Sequence, residues 1–351
     1  MALPERVLVT GGAGFIGTAL ARSLAPGSSE WVAYDSLLEQ VHGANPDLQL
    51  PDGVRLVHGD VRDVDSLTRV VGELRPEVVV HLAAETGTGQ SLDLPRRHTD
   101  VNVTGTAALM EALDAANVQP RRIVLTSSRA VYGEGVWVDA AGTATHPTGR
   151  SREMLDAGQW DYPGLTSVAS RAGTTAPAPC NVYGATKLAQ EHLLSSWAVT
   201  RGVTLGIARL QNVYGPGQSP INPYTGITTL FFGLAWQGEP IPLYEDGLIL
   251  RDFVFIDDVV RALDTLTSYS DSCLVDVGSG VVTTISNAAR EIASIAGGPA
   301  PVVTGQYRLG DVRAAHCAMS QSEWVRAGVV PTSLRDGLSA LGDWMRERAV
   351  G

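Results

Sequence analysis

Short apolar runs alternate with helical patterns over roughly the first 210 residues. Runs rich in Val, Ile and Leu predict strands, and apolar residues three and four apart predict helices between them. The predicted strands are residues 6–10, 31–34, 54–57, 78–82, 122–126 and 205–210, and the predicted helices are 18–24, 64–74, 103–116 and 184–200. This alternation implies a doubly wound parallel α/β sheet covered on both faces.

Two stretches interrupt the pattern. Residues 134–179 are rich in Gly, Ala, Thr and Pro and have weak periodicity, and residues 215–226 have the composition of a loop. From about residue 209 the elements become shorter and mixed. We therefore predict a larger domain over residues 1–208, to which a segment near 252–267 returns. A smaller mixed α/β domain should comprise 209–251 and 268–351.

Composition excludes several classes of protein. The chain has 351 residues, 44% of them hydrophobic, which is enough for a sizeable core and too apolar for a disordered chain. No apolar run reaches the ~18 residues that span a bilayer, and the start shows no secretion signal. The net charge of −11 argues against nucleic-acid binding. Three scattered cysteines fit a reducing cytoplasm rather than disulfides, and no cluster suggests a metal site.

A glycine-rich turn carries the strongest local signal. Gly11, Gly14 and Gly17 follow the first strand directly and open a helix, which is the context of a dinucleotide pyrophosphate site rather than of an ordinary turn. Asp35 ends the second strand about twenty residues later, where a carboxylate accepts hydrogen bonds from ribose and repels a 2′-phosphate. A turn or helix-cap aspartate is the alternative interpretation. We expect NAD rather than NADP.

A tyrosine and a lysine lie four residues apart in Tyr183-Gly184-Ala185-Thr186-Lys187 and would share one helix face. Free tyrosine is a poor base near neutral pH, and a nearby ammonium can lower its pKa by about 1–3 units. We therefore expect Lys187 to tune Tyr183 for proton transfer. On spacing alone, an ordinary amphipathic helix that carries a tyrosine and a lysine is the better explanation of the pair. His81, at a strand end, is expected to be packed or hydrogen-bonded rather than catalytic.

The motifs GGAGFIG, GDV, LAA, TSS, VYG and YGATK occur in the order that is typical of extended short-chain dehydrogenases/reductases, and the chain resembles that family over nearly its whole length. The resemblance implies a Rossmann domain with a smaller substrate domain, and a catalytic trio of Ser128, Tyr183 and Lys187. It implies that NAD is bound by Gly11, Gly14, Phe15, Ile16, Gly17, Asp35, Asp60, Val61, Leu82, Ala83, Ala84, Asn102, Thr126, Tyr183, Lys187 and Leu210. It implies that a nucleotide-diphosphate sugar is bound by Thr86, Ser128, Arg129, Asn212, Arg251, Arg308 and Asp311.

The residues after Ser128 narrow the reaction. Similar 4,6-dehydratases carry an Asp-Glu pair where this chain has Arg129 and Ala130, and similar decarboxylases keep a glutamate at the second position. The resemblance therefore implies a C4 epimerase of the nucleotide-sugar branch that oxidises and reduces the sugar without elimination. Two alternatives stay open, a 4-ketoreductase that consumes NAD(P)H and a non-catalytic dinucleotide sensor.

Two further expectations concern surfaces. The long segment 134–179 begins and ends beside catalytic residues, so it either covers the sugar pocket, through Trp137, His146, Arg150 or Trp160, or is a surface excursion. Relatives pair two helices per subunit, and 103–116 and 184–200 carry small or apolar residues suited to this. We expect a homodimer, with Ala107, Met110, Leu188 and Leu193 in its interface.

Overall fold

A parallel sheet of seven strands forms the centre of the molecule. The computed structural model describes residues 4–44, 46, 48, 50–219, 226–319 and 330–350, so residues 220–225 of the predicted loop and 320–329 of the predicted smaller domain lie outside it. In chain order, the described strands are β1 (Arg6–Thr10), β2 (Glu30–Asp35), β3 (Val54–His58), β4 (Val78–His81), β5 (Arg122–Ser128), β6 (Val136–Val138), β7 (Ala144–Thr145), β8 (Thr166–Val168), β9 (Thr204–Leu210), β10 (Asn212–Tyr214), β11 (Pro242–Leu243), β12 (Leu250–Phe255), β13 (Cys273–Val277), β14 (Val282–Thr284), β15 (Val302–Val303) and β16 (Ala314–Ala315).

Helices connect these strands and cover the sheet. The described α-helices are α1 (Phe15–Leu24), α2 (Glu39–His42), α3 (Val64–Leu74), α4 (Thr88–Asp93), α5 (Pro95–Thr99), α6 (Gly105–Ala115), α7 (Arg152–Asp156), α8 (Val182–Arg201), α9 (Ile227–Trp236), α10 (Ile256–Ser268), α11 (Ile285–Ala296) and α12 (Leu334–Val350). A π-helical stretch, Asp100–Thr104, leads into α6. Among the described residues, no helix combines the length and apolar character needed to cross a membrane.

The strand order of the main sheet is β13-β9-β5-β4-β1-β2-β3, with every neighbouring pair parallel. One face packs against α3, α6 and α8, and the opposite face against α1 and α10. The strands are Val-, Ile- and Leu-rich because both faces are buried, as expected for a parallel sheet. The predicted doubly wound Rossmann-type fold is confirmed.

The edge strand β13 was not predicted. It pairs with β9 in the main sheet, although the boundary drawn from the sequence assigned residues 268–351 to the smaller domain. Its five residues are too short and too mixed to stand out, and its position depends on a distant partner strand. The preceding α10 packs on the same sheet, so the chain returns to it with a helix and a strand together.

The smaller region has its own core. Strands β10, β12 and β14 form a mixed sheet to which β16 is added through β12. Aromatic and aliphatic side chains from α9, α11, α12 and β12 form a separate buried cluster, which includes Phe232, Phe253 and Ile292. The insertion 134–179 folds as a three-stranded antiparallel sheet in the order β7-β6-β8, and a bridge between Ser170 and Cys317 joins it to this region.

Local signals fix the helix that carries the candidate catalytic residues. Asn181 caps α8, because its side-chain oxygen accepts a hydrogen bond from the Gly184 backbone N–H at 2.8 Å. Gly202 ends the helix in the left-handed conformation that glycine adopts without steric cost. Tyr183 is therefore the second residue of a helix whose first turn is held in place by its own cap.

Candidate active site

A cavity of about 1240 Å³ runs along the carboxyl ends of the central strands and into the smaller region. This edge of a doubly wound sheet is where such folds bind ligands. Most of the residues selected from the sequence line it. They are Gly11, Gly14, Phe15, Ile16, Gly17, Asp35, Asp60, Val61, Leu82, Ala83, Ala84, Thr86, Thr126, Ser128, Arg129, Tyr183, Lys187, Leu210, Asn212, Arg251, Arg308 and Asp311.

The glycine turn between β1 and α1 forms one end of the cavity. Gly11 has a φ of 69°, and a Cβ there would lie 2.7 Å from the backbone nitrogen of Ala83. At Gly17, a Cβ would lie 2.6 Å from the carbonyl oxygen of Gly12, so the helix approaches the turn only without a side chain. No side chain caps α1, and its first turn has no acidic residue. The amides at this helix end are therefore free to bind an anionic phosphate.

Asp35 lies at the end of β2 beside this turn. Its carboxylate accepts hydrogen bonds from the backbone N–H groups of Ala13, at 3.0 Å, and Leu37, at 2.9 Å. The imidazole of His42 lies 3.6 Å from Asp35 Oδ1. Asp35 is thus fixed against the glycine turn, and a carboxylate still has acceptor capacity after these two bonds. This position fits hydrogen bonding to a ribose.

Asn102 does not line the cavity, contrary to its selection as a cofactor contact. It is fully buried, and its amide bonds both backbone groups of Glu85, at 2.7 and 3.0 Å, and the hydroxyl of Thr186, at 2.9 Å. These partners use its acceptor and both of its donors. In the structure, Asn102 joins the loop after β4 to the helix of Tyr183.

Ser128 and Tyr183 meet near the middle of the cavity. The serine ends β5, its side chain lowers the pKa of the neighbouring Tyr183 phenol, and its Oγ accepts the backbone N–H of Ala130 at 3.2 Å. The edge of the His98 ring faces Tyr183, with the ring centroids 6.3 Å apart. Sequence analysis missed His98, which comes from α5 and gives no local signal.

The expected effect of Lys187 on Tyr183 is not found. Burial raises the pKa of Tyr183 above its usual value, and the groups that counteract this are Ser128 and Arg129. The Lys187 ammonium instead donates a hydrogen bond to Gln190 Oε1 at 2.5 Å. Burial lowers the pKa of Lys187 to about 7, against a smaller opposing effect of Glu191. The lysine is itself desolvated, so its charge does not control the phenol in this structure.

Arginines line the half of the cavity that extends into the smaller region. Burial, and to a smaller extent the positive charge of the neighbouring Arg251, lowers the pKa of Arg129 to about 9. Burial also lowers the pKa of Arg251, and Arg308 lies over the Tyr244 ring at 5.0 Å. Within the described part of the chain, none of these three arginines forms a salt bridge, and Arg129 donates to Asn212 Oδ1 at 2.8 Å. Arg251 is buried, Arg129 is partly buried and Arg308 is exposed. Arginines without a carboxylate partner beside a cavity suit a diphosphate.

The four residues proposed from the insertion do not line the cavity. Trp137 is buried edge-on against Tyr162, and Trp160 packs against Tyr307. His146 is exposed on the surface. Arg150 is buried, but its Nη1 donates to Glu245 Oε2 at 2.8 Å and its Nη2 to the carbonyl oxygen of Asp311 at 2.9 Å. The insertion therefore supports the cavity wall from behind.

Arg150 belongs to a buried charge cluster that joins the insertion to the smaller region. Arg313 Nη1 donates to the same Glu245 oxygen at 3.0 Å, and its backbone N–H donates to Glu134 Oε2 at 3.0 Å. The side chains of Arg150, Arg313, Glu134 and Glu245 are at most 3% exposed. The cluster fixes the segment that contains Asp311, a predicted substrate contact.

His81 is a packed histidine, as predicted. It is fully buried, with Nδ1 2.6 Å from the Thr10 hydroxyl and Nε2 3.0 Å from the Thr106 hydroxyl. Burial lowers its pKa to about 3, so it is neutral. Among the described residues, no group of three or more His, Cys, Asp and Glu side chains could hold a metal ion.

The cavity fits a dinucleotide whose pyrophosphate lies at the N-terminal end of α1. A side chain at Gly14 would have only the Gly11 carbonyl oxygen close to it, at 3.3 Å, and would project into the cavity beside the uncapped end of α1. Asp35 lies on the ribose side of this end, and Tyr183 and Lys187 lie at the other side. A pyrophosphate at α1 would therefore direct one nucleoside toward Asp35 and the other toward Tyr183.

Comparison with known proteins agrees with this geometry. A family model described as the NAD dependent epimerase/dehydratase family matches residues 7–273. The chain is 48% identical to the dTDP-L-rhamnose 4-epimerase of Burkholderia thailandensis, over 98% of this chain and 95% of that protein. It superposes with a TM-score of 0.80 on the UDP-glucose 4-epimerase of Thermotoga maritima with UDP-glucose, at 26% identity and 98% and 99% coverage of the two chains. The UDP-glucose 4-epimerase of Thermus thermophilus in complex with NAD gives a TM-score of 0.78 at 28% identity, with 97% and 99% coverage.

Proposed function

The chain belongs to the NAD-dependent epimerase/dehydratase family, and we propose that it is a nucleotide-sugar C4 epimerase acting on a dTDP- or UDP-hexose. One observation carries the proposal. A single cavity joins the glycine turn to the arginine-lined half, and the Ser128–Tyr183 pair lies between them. Ala130 supplies no acid for elimination, which favours oxidation and reduction at one carbon over dehydration.

Tyr183 and Ser128 would act on the C4 hydroxyl of the sugar. NAD, when bound, supplies the acceptor and then the donor of one hydride at C4. Tyr183 would take the hydroxyl proton as its phenolate, a form that Ser128 and Arg129 favour against the effect of burial. As the C4–H bond breaks, the Ser128 hydroxyl would donate to the carbonyl oxygen that forms. Tyr183 would return the same proton after the 4-keto sugar has turned over. Over the full cycle one proton and one hydride leave the sugar and return to it, so no external reductant is needed.

Inversion requires that the sugar turn while its nucleotide stays bound. Arg129, Arg251 and Arg308 carry fixed charges in the half of the cavity beyond Tyr183, where they would hold the diphosphate. Thr86, Asn212 and Asp311 line the same space and would supply polar contacts. An anchored diphosphate with a mobile hexose allows hydride to return to the opposite face.

Bound nicotinamide separates an epimerase from a ketoreductase. We expect the purified protein to contain NAD by mass spectrometry, and to interconvert the C4 epimers of a dTDP- or UDP-hexose without added cofactor, as followed by NMR. Stoichiometric consumption of added NADH or NADPH would favour the reductase. A nucleotide-free protein that is inert toward every such sugar would overturn the proposal.

The assembly and location of the enzyme are part of the same proposal. Ala107, Met110, Leu188 and Leu193 are partly exposed on the adjacent helices α6 and α8, which supports a homodimer that pairs these helices. Light scattering should give twice the mass of one chain, and Leu188→Asp should reduce it to one. Within the described residues, the three cysteines form no disulfide bond, which supports a cytoplasmic enzyme.

A further inference from the structure

Lys187 is held by an unusual partner. It is the only lysine among the 351 residues, in a chain that otherwise uses arginine for its cationic side chains. Its side chain is 2% exposed. Within the described residues, Gln190 is the one side chain to which the ammonium donates a hydrogen bond, at 2.5 Å. A desolvated cation is therefore stabilised by a neutral amide oxygen.

The neighbouring carboxylate is occupied elsewhere. Glu191 Oε1 accepts from Arg209 Nε at 2.9 Å, and its Oε2 accepts from Arg209 Nη2 at 2.7 Å. The Ser127 hydroxyl donates to the same carboxylate at 2.5 Å. Because its oxygens bind Arg209, Glu191 forms no salt bridge with Lys187 in the described residues, and its effect on the lysine pKa is smaller than that of burial.

A buried network fixes the orientation of the Gln190 amide. Gln190 is fully buried, and its Nε2 donates to the Thr106 hydroxyl at 2.8 Å and lies 3.3 Å from His81 Nε2. Thr106 in turn donates to the Asn102 carbonyl oxygen at 2.6 Å. Because the Thr106 proton goes to Asn102, the Thr106 oxygen can only accept, both from Gln190 Nε2 and from His81 Nε2–H, which lies 3.0 Å away. A flipped amide would place its N–H groups against the Lys187 ammonium, which also only donates.

From this arrangement we propose that Gln190 is a positioning residue: it holds the Lys187 ammonium at the cavity wall by a neutral acceptor, with Thr106 fixing its amide. Two N–H groups of Lys187 then remain for the ribose of the cofactor. The expected contact between Lys187 and the cofactor ribose rests on the proposed function, whereas the positioning of Lys187 by Gln190 does not. A glutamine in this place keeps the lysine charge available to the cavity instead of cancelling it.

The single lysine makes the proposal directly measurable. Protein labelled with [ε-¹³C]lysine gives one lysine signal, whose chemical shift against pH reports the pKa of Lys187 without background. Gln190→Glu keeps the acceptor and adds a charge, so the pKa should rise by about 1–3 units. Gln190→Met removes the acceptor, so the pKa should fall by about 0.5–1 unit. Gln159→Glu, at an exposed position of the insertion, is the control and should change nothing.

Opposite shifts in the two Gln190 variants support the proposal, and any other pair of shifts overturns it. Circular dichroism checks that each variant is folded; if the methionine variant is not, the direction of the glutamate shift decides. A second readout is the NAD content after purification, which should fall at least severalfold in Gln190→Met and recover in part in Gln190→Glu. If the wild type proves inactive toward sugars while the opposite shifts are seen, the proposed function fails and the role of Gln190 stands.

Discussion

Arg150 Nη1 lies 2.8 Å from Glu245 Oε2, and both side chains are 1% exposed, so the insertion and the smaller region are joined by a buried ion pair. Breaking a buried ion pair from one side leaves an uncompensated charge, which costs about 3–5 kcal/mol. Without Arg150, Glu245 keeps Arg313, whereas Glu134, whose Oε1 lies 3.7 Å from Arg150 Nε, loses its neighbouring cation. Arg150→Met should lower the free energy of urea-induced unfolding by about that amount. Arg152→Met, on the exposed side of the same segment, should leave it unchanged.

The phenol of Tyr183 is expected to carry the proton transfer. Tyr183→Phe should lower kcat by about 10²–10⁴-fold, the usual contribution of a positioned acid/base, because the phenol is the group proposed to exchange the proton. NAD content should be retained, since the ring still fills its place beside His98. Tyr307→Phe is a matched control outside the cavity and should keep full activity. An active Tyr183→Phe enzyme would assign the chemistry to another group.

The buried charge of Lys187 should lower the stability of the native protein, although the lysine is needed for activity. Its pKa is lowered to about 7 from 10.5. At low pH the native and unfolded states are both protonated, so the full cost of the buried charge is present. Between the two pKa values only the unfolded state keeps the proton, so the native state gains about 1.4 kcal/mol per pH unit as pH rises.

The variant Lys187→Met lacks this charge and its cost. In nucleotide-free protein, its stability relative to the wild type should be highest near about pH 6 and should decline steadily toward about pH 9. The variant should nonetheless lose activity. Urea titrations at matched pH values test both points, and a stability difference that is flat with pH would show that Lys187 keeps an ordinary pKa.

Asp35 is expected to select NAD over NADP. Asp35→Asn removes the charge that opposes a 2′-phosphate, so the preference for NAD should fall by about tenfold or more, a difference of about 1.4 kcal/mol. Calorimetric titration with both dinucleotides measures it. Asp65→Asn, on the exposed first turn of α3, should not change the preference. A variant that still discriminates fully would assign selection to the surrounding backbone instead.

The sequence was most informative where a local backbone requirement restricts the residue type. Gly11 is needed for a positive φ and a close approach, and Asp35 ends a strand beside that turn, so both could be read from their spacing. Ser128, Tyr183 and Lys187 were located by their order along the chain. In each case a motif of a few residues carried the information.

The parts that escaped prediction depend on contacts between distant segments. Gln190 looks like a surface residue of an amphipathic helix, and its partner Thr106 comes from α6. Arg150 was expected in the pocket because it lies in a loop beside the site, yet its carboxylate partner Glu245 belongs to the smaller region. The raised pKa of Tyr183 likewise follows from burial, which spacing along a helix does not reveal.

Four polar side chains of the site share one helix, since Tyr183, Lys187, Gln190 and Glu191 recur at intervals of three and four residues along α8. Inserting or deleting one residue between them would rotate the later side chains by about 100° about the helix axis. During divergence, this helix can therefore accept exchanges of residue type but not changes of length before Glu191. A change of length in the connections outside α8, such as the one after Gly202, would leave the spacing of these side chains intact.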